Sequence, residues 1–262
     1  MSEVVRDLNV ELQLQATLDA GNKVWVIGDI HGHRRVFSNL LNAIDPGPND
    51  RIVILGDLID RGPDSKGVIE ICRYREDISV LQGNHEEIML SGFQSPDSDI
   101  WSPAPSWTYI GGKSTMHSYR TDMMRLKDDL QWISTLPHML ILNEWILVHA
   151  GIEPDSPLEE QFKDDLLWIR GSFYRATEFK DKSRCVVFGH TITHHGLGCE
   201  IGEIGLSKVA CDDGRPAWIG IDTGACDPLS GWLTAIELAS GECIQAKGDF
   251  KTRYFEEAWA CH

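Results

Sequence analysis

The sequence predicts an α/β fold in which two packed, mixed β-sheets are flanked by helices. Three observations predict it. Up to about residue 90, short apolar β-prone runs alternate with stretches of helical periodicity. Each of those runs stops on a glycine followed by polar residues. From Met139 onward, strand-like runs follow one another without helices between them. The alternation implies a mainly parallel sheet with covered faces, and the later strands imply a second, partly antiparallel one.

Residues 7–20 read as a short helix, with Leu8, Leu12 and Leu18 roughly on one face. Val24–Ile27 is uncharged and β-prone, the pattern of a buried central strand, and stops at Gly28–Asp29–Ile30–His31–Gly32. Val36, Phe37, Leu40, Leu41 and Ile44 recur at helical spacing until Asp45–Pro46–Gly47–Pro48 ends the helix. Residues 51–55 form the next strand, broken at Gly56–Asp57. Pro63–Asp64–Ser65 opens a helix to about Tyr74. Residues 78–81 are a third strand, ending at Gly83–Asn84–His85, with a helix from Glu86. Residues 94–109 carry Pro96, Pro103, Pro105, Trp101, Trp107 and Tyr109, and read as a long surface loop. The competing reading is a folded-back cap with its tryptophans in a satellite core. Leu126, Leu130 and Ile133 mark a helix stopped by Leu136–Pro137. Strands are then expected at 139–142, 145–149, 185–188, 217–222, 232–238 and 243–247. No linker divides the chain. One domain is expected over residues 23–250, with an N-terminal extension at 1–22 and a C-terminal tail at 251–262.

The 262 residues suffice for a sizeable core. No apolar run approaches about 18 residues, so no membrane span is expected. The N-terminus lacks the basic start and apolar centre of a signal peptide, which points to the cytoplasm. The seven cysteines include no CxxC pair, as for reduced thiols rather than a disulfide framework or zinc ribbon. Forty acids against 24 bases give a net charge of −16. Such a surface repels nucleic acid and anionic membranes, and neither is expected as a partner.

In parallel sheets ligands sit outside the carboxyl ends of the strands. The tips there supply Asp29, His31, Asp57, Asn84, His149 and His190, the last two in Val148–His149–Ala150–Gly151 and Phe188–Gly189–His190–Thr191. A buried Asp beside a satisfied His would also be written GDIHG. Six such residues on the strand tips of one chain favour divalent metal ligation instead. Two cations about 3.5–4 Å apart need a shared anion, which a bridging carboxylate supplies. His33, His117, His194 and His195 read as solvated residues. Asp212, Asp213 and Asp222 are metal-capable by type, but turn and strand-end hydrogen bonding account for them equally well.

GDIHG at 28–32, GDLIDRG at 56–62, GNHE at 83–86, HAG at 149–151 and FGHT at 188–191, with LLWIR at 166–170 and GIDTG at 220–224, resemble the metallophosphoesterases in kind and order. Within these they are similar to the phosphoprotein phosphatases of bacterial and phage type. The resemblance covers residues 24–240 and implies a calcineurin-like β-sandwich. By it, Asp29 and His31 bind one metal, Asp57 bridges both, and Asn84, His149 and His190 complete the second. Arg61 and Arg170 hold the phosphoryl oxygens, whose geometry guanidinium forks match. His85 protonates the leaving oxygen, and Asp60 orients that imidazole. A metal-bridging hydroxide attacks phosphorus directly. The implied cofactors are two divalent metal ions, Mn²⁺ in preference to Fe or Zn²⁺. The implied substrate is a phosphoserine or phosphothreonine protein or peptide, with small phosphoesters also in reach. Two alternatives stand beside it: a symmetrical dinucleoside polyphosphate hydrolase and a non-catalytic phosphate-binding pseudophosphatase. In the dinucleoside tetraphosphate hydrolases the residue before the arginine of the GDxxxRG turn is not acidic, whereas here it is Asp60. No ligand or clamp residue is missing, which counts against the pseudophosphatase. Residues 190–225 hold no counterpart of the tyrosine-bearing loop of the eukaryotic enzymes, so a regulatory subunit of the eukaryotic sort is not expected.

Overall fold

A computed structural model describes residues 4–94, 100, 103–227, 229–248, 251–256 and 258. Its first half runs α1 (Leu8–Asp19), β1 (Val24–Ile27), α2 (Arg34–Ile44), β2 (Arg51–Ile54), α3 (Ser65–Tyr74), β3 (Ile78–Val80) and α4 (Asn84–Gln94). Next, α5 (Pro105–Trp107) passes through a turn kinked at Gly111, Thr108–Gly112, into α6 (Lys113–Tyr119), and α7 (Met123–Ile133) follows. The second half contains β4 (Met139–Ile141), β5 (Trp145–Val148), α8 (Lys163–Trp168), β6 (Cys185–Phe188), β7 (Gly205–Leu206), β8 (Trp218–Gly220), β9 (Leu233–Glu237), β10 (Cys243–Lys247) and β11 (Lys251–Phe255).

The first sheet has the order β11-β10-β9-β1-β2-β3, with β1, β2 and β3 parallel and β9, β10 and β11 added as an antiparallel meander. The second has the order β4-β5-β6-β8-β7; β5, β6 and β8 are parallel, and β4 and β7 form antiparallel edges. The predicted α/β architecture of two mixed sheets with flanking helices is the one observed.

Successive strand residues point to opposite faces, and here both faces are dry. Val24, Val26, Val53 and Leu55 share one core with Ile146, Val148, Val187 and Ile219 of the second sheet. Trp25, Ile27, Ile52 and Ile54 share another with Phe37 and Leu40 of α2 and Val68 of α3. Phe37 is fully buried. Phe37→Ala should therefore cost about 3–5 kcal/mol through lost transfer energy and a residual cavity. Urea titration should show a lower midpoint with an unchanged slope; an unmoved midpoint would mean α2 is not packed as described.

Helix caps follow the sequence. The Asp7 carboxylate accepts the backbone N–H groups of Asn9 and Val10 at 3.1 Å, and Asp64 accepts that of Gly67 at 2.9 Å. The N-terminal segment and α1 are stitched to β4 and the residue before it: Val5 N–H meets His138 Nδ1 at 2.9 Å, and Glu11 Oε1 accepts from Ile141 N–H at 3.0 Å.

Several elements differ from expectation: α8 stands between β5 and β6, where no helix was expected, β7 is an additional edge strand, and three further differences bear on the site or the sheet edge. Helix α4 starts at Asn84 rather than Glu86, so Asn84 and His85 occupy its first turn. β11 forms a strand despite its exposed, cation-bearing sequence, the kind that blunts a sheet edge rather than advertising a core. The expected surface loop is largely a cap. Residues 105–119 are helical and Trp107 is fully buried, while Pro96 and Trp101 lie outside the described residues. Among the described residues, no helix is long and apolar enough to cross a membrane. Cys72, Cys185, Cys199, Cys211, Cys226 and Cys243 are free thiols, and Cys261 lies outside the described residues.

Candidate active site

The carboxyl ends of β1, β2, β3, β5, β6 and β8 deliver their polar tips to one place. Ile30 and His31 donate backbone N–H groups to Asp57 O at 3.1 and 2.8 Å, joining the first two tips. His190 N–H donates to both Asp29 oxygens at 3.0 and 3.2 Å, joining the two sheets. The joints are tight. A Cβ on Gly189 would collide with Asp29 Oδ1, and one on Gly83 with Asp57 Oδ1. Among the described residues, six that are not glycine have left-handed backbone, and five lie here: His31, Asp57, Asp60, Arg61 and His190. Such conformations cost energy and persist where the surroundings over-determine them, commonly at functional sites.

Among the described residues, two sets of three ligand-type groups each have their ligand atoms within 4.8 Å of one another: His31, Asp57 and His85, and Asp29, Asp57 and His149. Asp57 is common to both. Its Oδ2 lies 3.6 Å from His31 Nε2, its Oδ1 3.5 Å from His149 Nε2. His31 and His149 turn their other nitrogens to backbone carbonyls, Nδ1 to Ile59 O and Leu55 O, each at 2.9 Å. That contact fixes the ring and leaves Nε2 facing the site. Asn84 Oδ1 lies 2.8 Å from His149 Nε2 and 3.0 Å from His190 Nδ1, while His190 Nε2 is buried with no hydrogen-bond partner. Thus all six predicted ligands are assembled.

The donor set fits divalent cations. Asp29, Asp57 and Asp222 are all buried, and like charges held out of water need compensation. Burial, then the charges of Asp222 and Asp57, holds the Asp29 carboxyl well above its usual range. Burial likewise pushes Asp222 up to about 6. Asp57 departs the other way: burial would raise it, but the surrounding imidazoles of His149, His85, His31 and His190 outweigh burial and lower it. Mixed carboxylate, amide and imidazole donors without a thiolate suit Mn²⁺, Fe or Zn²⁺ better than Ca²⁺.

The imidazoles separate into two kinds. Burial pushes His31 down to about 3 and His190 to about 2, and it lowers His149 as well. Neutral rings with free lone pairs are what a metal requires. His85 is the exception. Burial would lower it, but Asp57 and the Asp60 carboxylate, 2.7 Å from Nδ1, outweigh burial and raise it.

Arg61 and Arg170 stand exposed at the rim. Arg61 reaches inward, with Nη1 2.6 Å from His31 Nε2 and Nη2 2.8 Å from His85 Nε2. Ligation at His31 and protonation of His85 each require this guanidinium to swing aside. Arg170 Nη1 donates to Thr191 Oγ1 at 3.0 Å, next to His190.

Glu86 escaped the sequence reading, as did what Asp222 and Trp107 face. Glu86 accepts the N–H groups of Asp57 at 2.8 Å, Gly83 at 2.9 Å and Leu58 at 2.9 Å, tying the β2 tip to the start of α4. Burial, then Asp57, pushes it up to about 8. The signal was present, since an acid three residues after the helix cap commonly reaches back to it. Asp222 makes the expected turn contact, accepting Gly224 N–H at 3.0 Å, yet also faces Asp29. Trp107 is sealed inside, its indole N–H donating to Asp60 Oδ2 at 3.0 Å, whereas Tyr109 is 82% exposed.

The chain matches the calcineurin-like phosphoesterase family over residues 22–219. It is similar to serine/threonine-protein phosphatase 2 of Escherichia coli, with 28% identity over 152 residues, 55% of this chain and 66% of that protein. A symmetrical bis(5'-nucleosyl)-tetraphosphatase of Chromobacterium violaceum is 29% identical over 140 residues, 50% of this chain and 44% of that one. The second match thus spans under half of its relative's length. A solved serine/threonine phosphatase from Saccharomyces cerevisiae superposes with a TM-score of 0.55 at 14% identity, over 95% of this chain and 87% of the other, a likeness of fold.

Proposed function

The chain belongs to the calcineurin-like phosphoesterase family, and within it we propose a phosphomonoesterase acting on phosphoserine and phosphothreonine in proteins or peptides. The observation that carries the reading is the buried Asp60–His85 pair, 2.7 Å apart, whose imidazole is raised while its three neighbours are lowered. A serine or threonine alkoxide is a poor leaving group and needs an oriented acid; a nucleotide diphosphate leaves more readily and needs less help.

Asp29, His31 and Asp57 would hold one divalent ion and Asp57, Asn84, His149 and His190 a second, Mn²⁺ being favoured. When bound, the ions supply a nucleophile from water at neutral pH and neutralise developing charge. The chain's own groups do the rest. Arg61 and Arg170 bind and orient the phosphoryl oxygens as bidentate donors. Asp60 fixes the ring of His85, and His85 Nε2 delivers a proton to the departing oxygen. The acidic surface favours a phosphopeptide over a polyanionic nucleotide.

The test is a metal-reconstituted screen. kcat/KM should be higher on phosphoseryl and phosphothreonyl peptides than on diadenosine tetraphosphate. A preference for diadenosine tetraphosphate would transfer the assignment to the nucleotide hydrolases.

A further inference from the structure

We infer that Trp107 is a positioning residue for proton transfer: its indole N–H, with the hydroxyl of Thr115, holds Asp60 so that His85 presents Nε2 to the leaving oxygen. The inference deepens the proposed function and rests on His85 being the acid.

Asp60 is fully buried with a left-handed backbone, φ 71°, so the turn that carries it is strained and must be held from outside. Its carboxylate receives three groups from three separate elements. His85 Nδ1 lies 2.7 Å from Oδ2. Trp107 Nε1 donates to Oδ2 at 3.0 Å and Oδ1 at 3.1 Å. Thr115 donates from Oγ1 to Oδ1 at 2.8 Å. Thr115 Oγ1 also accepts the Asp60 backbone N–H at 2.9 Å, and Ser65 Oγ lies 3.1 Å from the same N–H.

The polarity of these contacts sets the proton inventory. An indole nitrogen only donates. With Trp107 and Thr115 both donating, both oxygens of Asp60 act as acceptors. An Nδ1–H directed at Oδ2 continues that pattern and, once Arg61 swings aside, leaves Nε2, the nitrogen facing the site, to carry and release the transferred proton. Water is kept out because Trp107 is itself fully buried. A carboxylate without water depends on these donors for its charge and its angle.

The segment bearing Trp107 is shaped for this contact. Gly112 lies so close to the indole that a Cβ there would stand 2.5 Å from Cε2, and the Phe93 ring centroid is 5.3 Å away. Gly111 O accepts the Arg61 backbone N–H at 3.3 Å, from a φ of 134° that glycine alone adopts readily. The kinked turn Thr108–Gly112, broken from helical geometry at Gly111, lies between Trp107 and Thr115. The cap therefore grips both residues of the Asp60–Arg61 turn.

The test compares phenyl phosphate, a poor leaving group, with p-nitrophenyl phosphate, a good one, using the metal-reconstituted full chain. Trp107→Phe keeps an aromatic ring but loses the donor. Thr115→Val loses the second donor at nearly constant shape, and Thr115→Ser restores it. Losing a hydrogen bond to a charged group is worth about 10-fold to 100-fold in rate. We expect kcat on phenyl phosphate to fall by that factor in Trp107→Phe and Thr115→Val. The fall on p-nitrophenyl phosphate should be several-fold smaller, KM should hold, and Thr115→Ser should recover most of the loss. Adding Trp107→Phe to His85→Asn should cost nothing further. Equal losses on both substrates, or a further loss without His85, would overturn the inference and make Trp107 a packing residue. If His85→Asn itself shows no leaving-group dependence, the acid assignment fails and takes the inference with it. If His85→Asn shows it and neither Trp107→Phe nor Thr115→Val does, the inference alone fails.

Discussion

Asp57→Asn should remove nearly all activity and reduce the bound metal below two ions per chain. Asp57 is the one residue common to both groups of ligand-type atoms, its oxygens lying between His31 and His149. Two divalent cations in a dry pocket repel each other strongly unless an anion sits between them. The amide keeps the shape but removes the charge and replaces one acceptor with an NH₂ group that cannot ligate. The carboxylate also accepts His85 N–H through Oδ1 at 3.0 Å, so the amide oxygen should take that place and the α4 terminus should remain. Losing a metal-based contribution of several kcal/mol corresponds to about 1,000-fold or more in kcat. Metal counting by mass spectrometry, steady-state kinetics and circular dichroism measure the three parts. Retention of two ions with full activity would exclude a bridging role. Chelation of the parent protein should abolish activity and Mn²⁺ should restore it best; full turnover in thoroughly metal-free protein would end the metal-dependent reading.

Much of this could be read from the chain because strand tips are local. A β-prone run, a glycine and a polar residue lie within a few positions, and parallel connectivity brings such tips together without any knowledge of side-chain contacts. So Asp29, Asp57, His149 and His190 were visible as a group before the sheets were paired. What was hidden depends on contacts remote in sequence. Trp107 reaches Asp60 across 47 positions, and nothing near Pro103 or Pro105 marks its indole as an inward donor. Asp222 looked like a strand-end turn residue and is one, but its opposition to Asp29 requires both sheets. β11 carries three polar residues in five, Lys251, Thr252 and Arg253, and forms only because β10 offers it an open edge. The charge that keeps such an edge from aggregating also erases the strand's periodicity.

His85→Asn should cost most where the leaving group is worst. His85 neighbours the proposed ligand Asn84 in sequence, and its ring lies against that of His31, the centroids 4.8 Å apart, so position alone would allow ligation. Its partners argue otherwise. His31 and His149 lean on neutral backbone carbonyls, but His85 leans on a carboxylate, and with Asp57 that carboxylate raises it against its own burial. A ring made easier to protonate suits an acid and opposes a ligand, which must surrender its lone pair. Asparagine can still bond Asp60 but cannot carry the proton. General acid catalysis contributes roughly 10²–10⁴-fold. kcat on alkyl or phenyl phosphates should drop within that range, whereas p-nitrophenyl phosphate, whose leaving group needs little protonation, should lose far less. Metal content should stay at two ions. Equal losses on both substrates would make His85 structural, and loss of an ion would make it a ligand; either outcome would also remove the main ground for preferring phosphoserine over a nucleotide.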